Sequence, residues 1–134
     1  MIVIDASTLA KYLLKEEGWL SVEEYLLEGV RSVDLVVKEV ANAIWKHVVV
    51  HKMVSIDIGL ELYKQLKKLV EENVIVLESQ EKYLDKAVEI ALNYGVTIYD
   101  SLYIAQALRY EELLTSDKRQ AGIARKLGVK VHRI

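Results

Sequence analysis

The stretch Met1-Ile2-Val3-Ile4-Asp5-Ala6-Ser7-Thr8 decides how the chain is read. Ile2, Val3 and Ile4 are β-favouring aliphatics with no polar break, the pattern of a short strand buried on both faces, as in a parallel sheet. Asp5 stands where that strand stops, and the helical run Leu9-Ala10-Lys11-Tyr12-Leu13-Leu14 begins almost at once. Open α/β sheets hold their ligands at the carboxyl edge of such strands. A carboxylate there has two readings: it caps the first helix, where Asp is a favoured residue, or it belongs to a site.

Working outward, short apolar runs alternate with long amphipathic ones. Helix one is expected from about Ser7 to Glu16, and a second from Leu20 to Leu27, closed by Gly29. Val33-Asp34-Leu35-Val36-Val37 is read as the second strand, after which Glu39 opens a helix running to about His51. Leu62, Leu66, Leu69 and Val70 mark a helix over residues 56–72 by their spacing. Val74 to Leu77 is the third strand, and Tyr83 to Tyr94 a helix ended by Gly95. A helix from Asp100 to Tyr110, a strand at Leu113-Leu114-Thr115, a helix from Asp117 to Leu127 and a strand at Val129 to His132 complete the chain. Five strands separated by helices predict a single-domain, three-layer α/β/α fold over residues 1–134 with a parallel sheet. Right-handed crossovers leave few orders, and 3-2-1-4-5 sets strands one and four side by side at the switch point.

Composition narrows the chemistry. The chain has 134 residues and no cysteine, which excludes disulfides, thiolate catalysis and Cys-ligated metal. Three histidines (His47, His51 and His132) are too few and too scattered for most zinc enzymes. No apolar run approaches the roughly 18 residues of a membrane span, and no secretory signal is evident at the start, so a cytoplasmic protein is expected. The net charge of −2 does not announce a nucleic-acid binder, yet its distribution is uneven. From Lys118 onward the chain carries six Lys or Arg (Lys118, Arg119, Arg125, Lys126, Lys130, Arg133) and no acid. Such an end, with Lys118 and Arg119 nearest the acids, suits a polyanionic substrate; it equally suits a solvated helix with cations at its C-terminus.

Four acids fall on the same predicted edge. Asp5 ends strand one, Asp117 follows strand four, Glu39 lies past strand two, and Asp100 opens the helix before strand four. Each alone reads as a helix cap or a first-turn acid. Together, without matching Lys or Arg nearby, they would repel unless protonated or neutralised. A hard divalent cation such as Mg²⁺ or Mn²⁺ resolves that with oxygen ligands. Such a site favours phosphodiester hydrolysis. Asn42, one turn beyond Glu39, and Ser7, Thr115 and Ser116 are placed to orient ligands or water. Trp45 and Val48-Val49-Val50 are read as packing a core or an interface.

Taken jointly, Ile2-Val3-Ile4-Asp5-Ala6-Ser7, Glu39-Val40-Ala41-Asn42-Ala43, Tyr99-Asp100-Ser101-Leu102-Tyr103 and Leu114-Thr115-Ser116-Asp117 resemble a PIN domain. The resemblance spans essentially the whole chain and is nearest the small VapC toxins of toxin–antitoxin pairs. It implies a metal-dependent endoribonuclease in which Asp5, Glu39, Asp100 and Asp117 bind Mg²⁺ or Mn²⁺, with Thr115 as the hydroxyl before the last acid. It also implies a homodimer restrained by an antitoxin whose tail covers the site. Lys118, Arg119 and Gln120 stand where some members have a further acid, which weakens the case for a well-bound second metal. The proline usual before the Glu39 motif is missing.

Three other readings compete. One is a PIN fold kept only for binding RNA or protein. A receiver domain wants paired acids after strand one and an Asp after strand three, where this chain has a lone Asp5 and Glu78. A haloacid-dehalogenase-like phosphatase needs a second Asp two residues after the first, and that position is Ser7.

Overall fold

The computed structural model describes all residues, 1–134. In chain order the elements are β1 (Ile2–Ile4), α1 (Ala6–Leu13), α2 (Trp19–Glu28), β2 (Val30–Val33), α3 (Leu35–Trp45), a π-helical turn (Lys46–Val50) and α4 (Ile56–Glu71). Then come β3 (Ile75–Glu78), a short 3₁₀ turn (Gln80–Tyr83), α5 (Leu84–Tyr94), α6 (Ile98–Tyr110), β4 (Glu112–Thr115), α7 (Lys118–Lys126) and β5 (Lys130–Arg133). The five strands form one sheet in the order β3-β2-β1-β4-β5, all parallel. Ile2 pairs with Val30, Val3 with Leu113 and Ile4 with Leu114, so β1 is central. Helices α1 to α4 pack among themselves, and α5 to α7 do likewise. Right-handed crossovers set the two groups on opposite faces of the sheet. This is the expected architecture and strand order.

Its second strand differs from expectation. The strand is Val30–Val33, three residues earlier, and Leu35-Val36-Val37 opens α3 instead. A short apolar run does not by itself distinguish strand from helix. The wider spacing decides it: Leu35, Val36, Val40 and Ile44 are buried on one helical face. Glu39 therefore lies in the second turn of α3 and does not open that helix. Similarly, α6 starts at Ile98 behind a Thr97 cap, so Asp100 stands in its first turn and is not its first residue.

Helix α6 is the centre of the molecule. Ser101 to Ala107 are all buried, as befits a helix enclosed on every side. It packs on β1, β2 and β4 and against α5 and α7. Asp100 is thereby fixed to a rigid element under the sheet's switch point.

The helix after Glu39 also ends earlier than expected. It leaves α-geometry at Lys46, and the β-branched run Val48-Val49-Val50 sits in the π turn. Trp45 is half-exposed, while Val48 packs against the core. Helix α4 crosses the turn closely at Gly59, where an added Cβ would stand 2.6 Å from Val48 Cγ2. Val48 is stiff at χ1 and has little room to yield. Gly59→Ala is accordingly expected to cost about 1–3 kcal/mol by overpacking, read as a lower thermal midpoint. A midpoint at or above that of the wild type, which Ala's better helix propensity would produce on its own, would count against this contact.

Candidate functional site

Asp5 leaves β1 with its backbone still on the sheet, donating its N–H to Leu114 O of β4 at 3.3 Å. Its side chain is fully buried. Oδ1 accepts the Thr8 N–H at 3.0 Å, capping α1, and the Ser7 hydroxyl at 2.9 Å. Oδ2 accepts the Thr115 hydroxyl. Burial raises the Asp5 carboxyl above the ordinary aspartate range, and these hydrogen bonds oppose the shift only in part. The helix-cap reading is thus true as geometry. It leaves open what else a buried carboxylate without a basic partner is for.

Thr115 connects Asp5 to the last acid. While its hydroxyl donates to Asp5, the same oxygen accepts the Asp117 N–H at 3.0 Å. Asp117 then caps α7, with Oδ1 accepting the Gln120 N–H at 2.9 Å. Ser116 joins the α1 side: its hydroxyl lies 3.2 Å from that of Thr8, and its N–H donates to Ser7 Oγ at 3.3 Å. The turns after β1 and β4 are therefore stitched together by hydroxyls.

Glu39 reaches the same place from α3. Its Oε1 accepts the Tyr103 hydroxyl at 2.5 Å. Burial raises the Glu39 carboxyl and the nearby Asp100 charge raises it further, with the Tyr103 hydrogen bond opposing both. Tyr103 in turn is buried and its phenol is pushed far above the ordinary range, by burial first and then by Glu39, Asp5 and Asp100. Of the three carboxylates, Glu39 is the one that contacts the phenol.

No lysine or arginine forms an ion pair with Asp5, Glu39, Asp100 or Asp117. All the donors are hard oxygens, the set that suits Mg²⁺ or Mn²⁺. As the side chains stand, no three acidic or imidazole groups close into a ready metal cage. The fit is one of chemistry and placement.

Tyr103 was not expected from the sequence as a site residue, although it lies one helical turn after Asp100 and so on the same face. Thr8 was missed as well; its N–H and hydroxyl serve Asp5 and Ser116. Asn42 is exposed on α3, one turn beyond Glu39, and the side-chain hydrogen bond to Glu39 comes from Tyr103. Lys118 and Arg119 follow Asp117 into the first turn of α7 and are exposed.

Comparison with known proteins agrees with this geometry. The PIN domain family model matches residues 2–126. Ribonuclease VapC3 of Pyrobaculum aerophilum is 31% identical over 128 residues, covering 90% of this chain and 92% of that protein. With its parallel 3-2-1-4-5 sheet and these two similarities, the chain belongs to the PIN-domain family, and to its VapC-like kind.

Proposed function

We propose that the chain is a divalent-metal-dependent endoribonuclease, the toxin of a toxin–antitoxin pair. The observation that carries the reading is that Asp5, fully buried, and Glu39, held by the Tyr103 hydroxyl, have no Lys or Arg in ion-pair range, nor do Asp100 and Asp117. The similarity to a protein named as a ribonuclease supplies the substrate class. Asp5 and Asp100 would hold Mg²⁺ or Mn²⁺, with Glu39 and Asp117 completing the acidic set. The chemistry a cation held there would supply is polarisation of a phosphoryl oxygen and a lower pKa for bound water.

The chain's own residues do the positioning. Ser7, Thr8 and Thr115 direct their donors at Asp5, which holds the carboxylate in one orientation and favours its ionised form. Tyr103 fixes Glu39 at the end of a side chain that would otherwise sample many rotamers. Asp117 is held at the N-terminus of α7 by the Gln120 N–H that its Oδ1 accepts, which fixes its carboxylate beside the turn after β4. The acids then orient the attacking water, and Lys118 and Arg119 meet the RNA backbone. The protein acts in the cytoplasm as a homodimer, and an antitoxin covers the acidic edge. No helix is long and apolar enough to cross a membrane.

Purified protein with Mg²⁺ or Mn²⁺ is expected to cleave RNA internally, to stop when EDTA is added, and to resume when metal is restored. RNA left intact with metal present, or cleaved equally in EDTA, would overturn the proposal.

A further inference from the structure

The geometry points to a single-stranded RNA track in the groove between the end of α5 and α7, with Lys118 and Lys126 on phosphates and Tyr94 under a stacked base. This rests on the ribonuclease reading and extends it from the acidic edge to the path of the substrate. The groove, about 520 Å³ in volume, is lined by Tyr94, Lys118, Arg119, Gly122, Ile123 and Lys126. Three of these are cations and none is an acid. It begins beside the site, because Lys118 directly follows the Asp117 that caps α7.

Its cations are available. Lys118, Arg119 and Lys126 take part in no ion pair. Arg119 is steadied by donating from Nη2 to Gly95 O at 2.6 Å, which ties α7 to the turn after α5. Lys118, Gly122 and Lys126 recur every fourth residue and so form one stripe along α7, with the two lysine backbones about 12 Å apart.

The middle of that stripe is a glycine the fold does not need. Gly122 has no left-handed φ, and an added Cβ would meet nothing within 4 Å. In a helix interior Gly is less stable than Ala, so neither turn geometry nor packing explains it. An open backbone between two unpaired lysines does suit close approach by a sugar–phosphate chain. Tyr94, exposed at the groove's other wall, offers a ring face to a base. Duplex RNA keeps its base faces stacked inside the helix, whereas a single strand presents them. A cationic groove with an aromatic platform is therefore matched to single strands.

Binding of a labelled single-stranded RNA, measured by fluorescence anisotropy in EDTA, tests the track apart from cleavage. Tyr94→Ala is expected to weaken binding about tenfold, with Tyr94→Phe close to wild type. Lys118→Ala with Lys126→Ala is expected to lower the slope of log affinity against log salt by about 1.4. Gly122→Leu should weaken binding while melting at or above the wild-type temperature, and the same strand in duplex form should bind less well than when single. Wild-type binding that none of these variants changes would overturn the track while leaving metal-dependent cleavage standing. Dependence on the lysines without dependence on the Tyr94 ring, with equal competition by polyglutamate, would overturn it in favour of an acidic polypeptide. A wild type that neither binds nor cleaves RNA would overturn the track together with the reading beneath it.

Discussion

Asp100→Asn is expected to reduce RNA cleavage by about a hundredfold or more, an effect of the size seen when a positioned catalytic group is removed, with little change in thermal midpoint. The two halves of that expectation have separate causes. In the folded protein the Asp100 carboxylate accepts no hydrogen bond from the chain and forms no ion pair, while its backbone N–H serves the Thr97 cap. An isosteric amide therefore disturbs no contact. It also removes a negative charge that raises the Glu39 carboxyl, so the acidic edge becomes less strained electrostatically. Stability held or slightly increased, with cleavage lost, is the signature of a residue kept for a ligand and not for the fold. Undiminished cleavage by the variant would remove Asp100 from the site.

Glu78→Ala is expected to behave in the opposite way, costing about 3 kcal/mol of stability through buried partners left unpaired. Glu78 ends β3 and is largely buried. It accepts the Tyr83 hydroxyl at 2.7 Å, Gln106 Nε2 at 3.0 Å and Lys82 Nζ at 2.9 Å, and Arg31 lies 3.9 Å away. Burial alone would raise its carboxyl, but hydrogen bonds from Gln106, Lys82, Tyr83 and Tyr110 outweigh that and bring it down to about 2. The folded state thus binds fewer protons than the unfolded one between about 2 and the ordinary 4.5. Stability from Glu78 is present above the upper value and lost as pH falls through this window. The wild type should lose midpoint on acidification over that range, and Glu78→Ala should lose less. Lys82 is nearly half-exposed, so Lys82→Ala should change stability by only about 0.5 kcal/mol. A Glu78→Ala protein as stable as wild type would dismiss this cluster as the clamp between α6 and β3.

The sequence foretold the order of strands because buried parallel strands leave a local mark, an unbroken aliphatic run with a helix close behind. Ile2-Val3-Ile4 and Leu113-Leu114-Thr115 carry that mark plainly. Val33 to Val37 carries it falsely, since five apolar-rich residues fit a strand or one face of α3. Only the longer spacing to Val40 and Ile44 resolves the ambiguity. The shift moved Glu39 from a helix start into a second turn, where Tyr103 and not Asn42 meets it.

The four acids could be assigned to one edge from topology, because a parallel strand order places the carboxyl ends of neighbouring strands together. Their partners could not. The hydroxyl bridge from Asp5 through Thr115 to Asp117 joins residues more than a hundred positions apart, and the Glu39–Tyr103 contact spans 64. No periodicity records such pairs; they exist only once β1 lies beside β4 and α6 beneath both.

By itself, then, the sequence determined the α/β class and the 3-2-1-4-5 sheet, since these follow from local hydrophobic period and chain order. Tertiary structure alone decided which side chains hydrogen-bond Asp5 and Glu39, that Asp5 is desolvated without a counter-charge, and that Tyr94, Lys118 and Lys126 line one groove. Each of these depends on distance in space between residues remote in the chain, and burial and Coulomb interaction depend on that distance rather than on separation in sequence.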